Sequence, residues 1–242
     1  MIADSGIPAP KFSYDRHART CAPDDFLGQT MRTVRGVALG EDQVAMIVAQ
    51  IRRLLAPAPT DRLIEIACGN GYLSQHLFQE LGGYVGSDIS EYLIDVALRN
   101  FERRSDFTFV HCGALDHLRD ETSPERFTKM LCYASAQYFS DEQFAKLLQL
   151  ARQRFPSVRR LLVGNCPDRD RAKTFFQDRP YEDGDLDDSG TALGRWRTTS
   201  SFRRIAADAG WDVAISLMPP GFSGAAYRFD ALLTPRSGGP SE

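Results

Sequence analysis

Long hydrophobic runs are missing from this 242-residue chain. None approaches the ~20 apolar residues that a membrane span requires. Met1-Ile-Ala-Asp-Ser-Gly-Ile-Pro8 has neither a basic stretch nor an apolar one, so it does not read as a secretory signal. Cysteine is scarce and poorly placed for cross-linking. Cys21, Cys68, Cys112, Cys132 and Cys166 are odd in number, widely spaced and form no C-x-x-C pair, which argues against a disulfide framework and against a zinc site. A surplus of positive charge is also absent. The formal net charge is −3, so the basic face of a nucleic-acid binder is not expected, and Arg152, Arg154, Arg159 and Arg160 read as solvated surface. A cytoplasmic enzyme is expected, with a small-molecule partner, no nucleic acid, no membrane and no metal.

What is present is an ordinary globular balance, 43% hydrophobic and 25% charged, at a length that fits one domain with its own core. Helices and strands alternate along it. Val44, Ile47, Val48, Ile51, Leu54 and Leu55 repeat at helical spacing over 41–55, and Pro57-Ala-Pro59 stops the helix. Strands are expected at 63–67, 84–87, 107–110, 127–133 and 160–164. Helices are expected at 72–81, at 91–103 behind the capping Ser90, behind Ser140, and at 201–209 before Gly210. Two last strands, 212–217 and 227–233, lie too close together for a helical crossover and should pair antiparallel. The pattern predicts an α/β fold: seven mostly parallel strands in one Rossmann-like sheet, the last reversed, with helices on both faces. The expected organisation is a tail and helical lid over 1–40, a core over 41–235 and a loose tail over 236–242. Within the core, 166–200 reads as an acidic, flexible loop or lid insertion.

The chemistry-bearing stretch is Leu63-Ile-Glu-Ile-Ala-Cys-Gly-Asn-Gly71, a strand that ends in a turn with two glycines before a helix. Glycine permits the tight turn and lets a ligand approach backbone, and the helix start presents free N–H groups. The turn lies past the carboxyl end of the first core strand, where open α/β sheets bind ligands. Gly71→Val is accordingly expected to abolish cofactor binding in a protein that still folds. Asp88 closes the second strand, about 17 residues beyond Gly71, where a carboxylate can accept ribose hydroxyls or cap the next helix. The third glycine of a dinucleotide fingerprint is replaced by Ser74. Glu65 at the strand end suits a ligand that carries positive charge. Both favour S-adenosylmethionine (SAM) over a nicotinamide dinucleotide.

Glu65-Ile-Ala-Cys-Gly-Asn-Gly71 resembles the first motif of class I SAM-dependent methyltransferases, and Asp88 matches that family's ribose-binding acid. Cys112-Gly-Ala-Leu-Asp-His-Leu118 resembles the loop that meets the adenine, and the segment through Cys132 and Tyr133 resembles the motif beside the sulfonium. The resemblance spans roughly 41–235. It implies SAM as cofactor, S-adenosylhomocysteine as product, and a cofactor site at Glu65, Ala67, Gly69, Asn70, Gly71, Asp88, Ile89, Gly113, Ala114, Leu115, Cys132 and Tyr133, with Tyr14 closing over it. The family's adenine-loop acid is absent at Gly113, leaving backbone or Asp116 for the adenine amine. The Asn-Pro-Pro-Tyr of amino-group methylases of DNA and glutamine is absent too. The expected reaction is O- or N-methylation of a small polar acceptor, such as a sugar or secondary metabolite. A catalytically silent SAM-binding scaffold and a nicotinamide oxidoreductase are the alternatives. His17 and His111 are candidate bases. Gln29, Arg32, Arg35, Asp168, Arg195, Trp196 and Arg197 are candidate acceptor contacts.

Overall fold

The computed structural model describes residues 12–103, 105–177 and 179–237. The expected tails over 1–10 and from 238 onward lie outside them. The chain enters through two short helices, α1 (Tyr14–Ala18), capped by Ser13, and α2 (Phe26–Gln29), capped by Asp25. A hairpin follows, β1 (Thr33–Val34) against β2 (Val37–Ala38). Arg35 and Gly36 both have positive φ, 51° and 80°, the mirror-image turn whose twist matches a two-residue hairpin. The helix α3 (Glu41–Leu55) then leads into the main sheet.

That sheet has seven strands in the order β5 (Phe107–His111), β4 (Gly83–Asp88), β3 (Arg62–Ile66), β6 (Lys129–Tyr133), β7 (Arg160–Pro167), β9 (Arg228–Pro235) and β8 (Trp211–Leu217). Strands β3 to β7 run parallel to one another. The last strand, β9, is reversed as expected and lies between β7 and β8, antiparallel to both. Side chains alternate across the sheet, so each central strand feeds two apolar layers. Leu63, Leu131, Tyr133 and Leu162 pack with α3 and α4 (Glu91–Phe101) on one face. Ile64, Ile66, Met130, Cys132, Leu161 and Val163 face the other. They pack there with α6 (Asp141–Arg154) and α8 (Thr199–Asp208), and with Leu118 of α5 (Ala114–Asp120). Ser90 caps α4, and Ser140 with Gln143 forms a full capping box on α6.

Two expectations need correction. The helix over 72–81 is a 3₁₀ turn at Ser74–Glu80. Its ladder has a competitor, because Arg52 Nη2 donates to the His76 carbonyl at 2.8 Å, while the Ser74 hydroxyl is held by Glu65. The stretch 166–200 is not a featureless acidic loop. It carries α7 (Ala172–Phe176), a 3₁₀ turn at Asp183–Leu186 and a satellite core of Ala172, Phe176, Leu186 and Trp196. Its aromatic residues supply that apolar contact, and Arg169 pairs with Asp187 at 2.6 Å.

Candidate active site

Three neighbouring strands end in the same unusual way. Ala67 after β3, Ala134 after β6 and Asn165 within the end of β7 all take left-handed φ, 55°, 59° and 56°. A side chain in that region costs roughly 1–2 kcal/mol, and such outliers gather at ligand sites. At Asn165 the cause is a register break between Val163 and Cys166 where β7 meets β9.

The glycine loop is stitched to the end of β4. Cys68 N–H donates to the Ser87 carbonyl, and Gly69 N–H donates to Asp88 Oδ2 at 2.9 Å. Asp88 Oδ1 accepts from Ser90 N–H at 2.8 Å. Burial pushes the Asp88 carboxyl above the usual carboxylate range, and these two backbone donors act against that rise. Ile89 beside it is 79% exposed, an apolar shelf at the edge of the loop. Glu65 points the other way. It lies on the Leu63 face of β3, sealed from solvent, and accepts from the Tyr84 hydroxyl at 2.6 Å and from the Ser74 hydroxyl. The carboxylate assigned to a cationic ligand is therefore a buried staple between β3, β4 and the following turn, and burial pushes it up to about 7.

The N-terminal segment sits directly on this loop. Asn70 Nδ2 donates to the Phe26 carbonyl at 2.8 Å and to Gln29 Oε1 at 2.9 Å, while Gln29 Nε2 donates to the Ala22 and Pro23 carbonyls. Gln29 is fully buried in this network. Asp15 Oδ1 accepts from the Ser90 hydroxyl and Tyr92 N–H, tying α1 to the start of α4. Replacing Asn70 with alanine strands the Gln29 oxygen in a buried site. Local opening of residues 22–34 should become easier by about 1–3 kcal/mol. Amide hydrogen exchange measures it: protection there should fall while that of β3 and β6 stays.

Beside the loop lies a cleft of about 110 Å³. Thr30, Arg32 and Val34 form one wall, Ala134, Gln137 and Tyr138 the second, and Asn165, Phe222, Tyr227 and Arg228 the third. Tyr14 lines it as well, its hydroxyl 2.6 Å from that of Tyr138, and burial raises its pKa far above the ordinary value. Among the described residues that line it there is no histidine, aspartate or glutamate. The two candidate bases are spent on backbone: His17 Nε2 lies 2.9 Å from the Gly28 carbonyl oxygen, and His111 Nε2 lies 3.0 Å from that of Ile89.

Residues 63–155 match a family model described as a methyltransferase domain, and they hold the glycine loop, Asp88 and Ala134. The chain thus contains a segment similar to a methyltransferase domain. Solved structures share its fold. A SAM-dependent methyltransferase of Leishmania major superposes with a TM-score of 0.64 at 13% identity, over 91% of this chain and 80% of that one. Magnesium protoporphyrin IX methyltransferase of Synechocystis PCC 6803, with bound S-adenosylhomocysteine, gives 0.54 at 20%, over 81% and 82%. The N-methyltransferase NodS of Bradyrhizobium japonicum WM9 gives 0.57 at 14%, over 81% and 98%. No curated protein matches the chain in sequence. Among the described residues no helix is long and apolar enough to cross a membrane.

The other sequence candidates divide. Gly113 precedes α5, and Ala114 and Leu115 are half-buried at its start. Asp116 is exposed and paired with Arg119. Cys132 is buried in the layer beneath α6, and the Tyr133 hydroxyl reaches Met218, so at these two positions only backbone borders the loop side. Of the acceptor candidates, Arg32 lines the cleft. Asp168 instead caps the turn Arg169–Arg171, Arg195 and Arg197 bind Asp141, and Trp196 is core. Gln137, Tyr138, Asn165 and Arg228 were not foreseen. Asn165 had one readable signal, its place just past the carboxyl end of the fifth core strand.

Proposed function

We propose that this protein transfers the methyl group of SAM to a small polar acceptor held in the cleft. The observation that carries the reading is contiguity. Thr30 and Ala134 line the cleft, Thr30 Cγ2 lies 3.0 Å from where a Cβ on Gly69 would stand, and the neighbouring Ser135 hydroxyl donates to the Ala67 carbonyl. A donor laid across Ala67, Gly69 and Asn70 would present its sulfonium at the Ala134 wall. The structure fits such a donor. Asp88 spends one lone pair on each oxygen and keeps others for two ribose hydroxyls. Ile89 and Leu115 offer apolar surface to an adenine beside Gly113 and Ala114. SAM supplies an activated methyl group, and the protein supplies position. With no histidine or carboxylate among the described residues of the wall, proximity and orientation carry the catalysis.

Transfer of labelled methyl from SAM to a polar metabolite fraction tests the reading. Calorimetric binding of S-adenosylhomocysteine, with none for NAD, tests the donor site. Within that site Asp88→Ala is expected to weaken S-adenosylhomocysteine by roughly ten- to a hundredfold, from charge-assisted bonds worth ~1.5–3 kcal/mol. Asp88→Asn should fall between. A lower melting temperature with unchanged affinity would reduce Asp88 to a stitch between the glycine loop and α4.

A further inference from the structure

The cleft holds two cations with no carboxylate in contact among the described residues, although Arg32 feels Glu65 and Asp88 at longer range. Arg32 and Arg228 both line it, and neither forms an ion pair among the described residues. Both guanidinium groups lie close enough to Tyr14 and Tyr133 to favour the ionised form of each phenol, which brings the two charges to one region. Arg228 Nη1 donates to the Asn165 carbonyl at 2.7 Å, and its guanidinium stands 5.4 Å from the centre of the Tyr227 ring, leaving its other N–H groups free. Arg32 is less satisfied still. Its Nε is sealed from solvent with no partner. The buried Arg197 shows the ordinary alternative: its guanidinium donates to Asp141, the Ala136 carbonyl and the Phe139 carbonyl.

Two residues that line the same cleft, Gln137 and Asn165, carry orphaned acceptors. Gln137 Nε2 donates to the Ala134 carbonyl at 2.9 Å, which fixes the amide and leaves its buried Oε1 without a donor. Asn165 Oδ1 is also buried and unpartnered. A buried polar group without a partner costs about 1–3 kcal/mol, and an unpaired buried charge costs more. SAM does not resolve this imbalance. It carries two positive charges and one carboxylate, so a loaded cleft becomes more cationic.

Resting on the methyl-transfer reading above, we propose that the acceptor is a small hydroxylated or amine-bearing acid. Its anionic group is held between Arg32 and Arg228, and its O–H or N–H groups donate to Gln137 Oε1 and Asn165 Oδ1. Arginine suits this role because its planar fork binds a carboxylate through two parallel hydrogen bonds.

Two probe pairs differ in charge at nearly constant shape: 4-hydroxybenzoate with 4-hydroxybenzamide, and D-glucuronate with D-glucose. Calorimetry uses the full chain loaded with S-adenosylhomocysteine. In at least one pair the acid should bind about tenfold or more tighter than its neutral partner, with the preference shrinking as salt is raised. Arg228→Gln and Arg32→Gln should each abolish that preference while affinity for S-adenosylhomocysteine stays within about twofold of the wild type, since neither charge is assigned to the donor. Arg228→Lys keeps the charge without the fork and should retain part of the preference, which covers the case of a poorly folded glutamine variant. Acids that bind no better than their neutral partners in both pairs would overturn the proposal. So would arginine variants that lose S-adenosylhomocysteine but keep the acid preference, because the charges would then belong to the donor. Failure of the wild type to bind S-adenosylhomocysteine would instead reject the methyl-transfer reading itself.

Discussion

Gly71→Val is expected to destabilise the whole protein by about 2–5 kcal/mol, a large share of the 5–15 kcal/mol that holds a typical domain together. The sequence reading expects a folded protein that has lost its cofactor, on the premise that a ligand approaches this glycine. The neighbour is a protein side chain instead. Gly71 has φ 74°, and a Cβ there would stand 2.6 Å from Cε1 and Cζ of Phe109, with Ala97 Cβ at 3.4 Å behind. Left-handed backbone costs a branched side chain roughly 1–2 kcal/mol, and forcing methyl groups into a packed core adds about 1–3. Phe109 is buried in the layer under α3 and α4, against Phe78 and Tyr84, and has no open space to move into. Urea titration and thermal melting of Gly71→Val measure the loss directly. Gly71→Ala in a Phe109→Leu background separates the two causes: the steric part should largely vanish and the backbone part remain. A Gly71→Val protein as stable as wild type would restore the ligand-facing assignment. Gly69 is the contrast, since its φ of 61° carries the same backbone strain while its Cβ would meet only Thr30 Cγ2, at 3.0 Å.

The contrast between these glycines shows what the sequence could carry. The strands were legible because each central strand is buried on both faces and reads as a short apolar run. The glycine turn and Asp88 were legible because their spacing follows from one strand–turn–helix unit, and the structure stitches them together through Gly69 N–H. Which way a side chain points at the turn was not legible. Glu65 looks like a lone acid at a strand end, and its partners Ser74 and Tyr84 come from a later turn and a different strand. The cleft was the least legible part. Thr30, Gln137, Asn165 and Arg228 come from four widely separated segments, so no local spacing records that they meet. His17 and His111 failed as bases for a similar reason. A backbone carbonyl that captures an imidazole leaves no mark in the sequence.

The buried staple at Glu65 has a pH signature of its own. Its carboxyl is pushed from 4.5 up to about 7 by burial, against the pull of the Ser74 and Tyr84 hydroxyls. The folded protein thus holds a proton that the unfolded chain has released. Below pH ~4.5 both states are protonated, and the stabilising contribution is present in full. As pH rises from there the unfolded chain ionises first, so folding stability falls at about 1.4 kcal/mol per pH unit. The fall ends near pH 7, where the folded carboxyl ionises too, and totals about 3 kcal/mol. Glu65→Gln keeps the shape and an acceptor oxygen but has no such proton to lose. The stability of wild type minus that of the variant should therefore drop by roughly that amount between pH 4.5 and 7 and stay flat above. Taking the difference cancels every other titrating group that the substitution leaves alone. Urea titrations of both proteins at unit steps from pH 4.5 to 9 measure it. A difference that does not change with pH would mean that Glu65 is ionised in the fold, with Ser74 and Tyr84 able to hold the charge unaided.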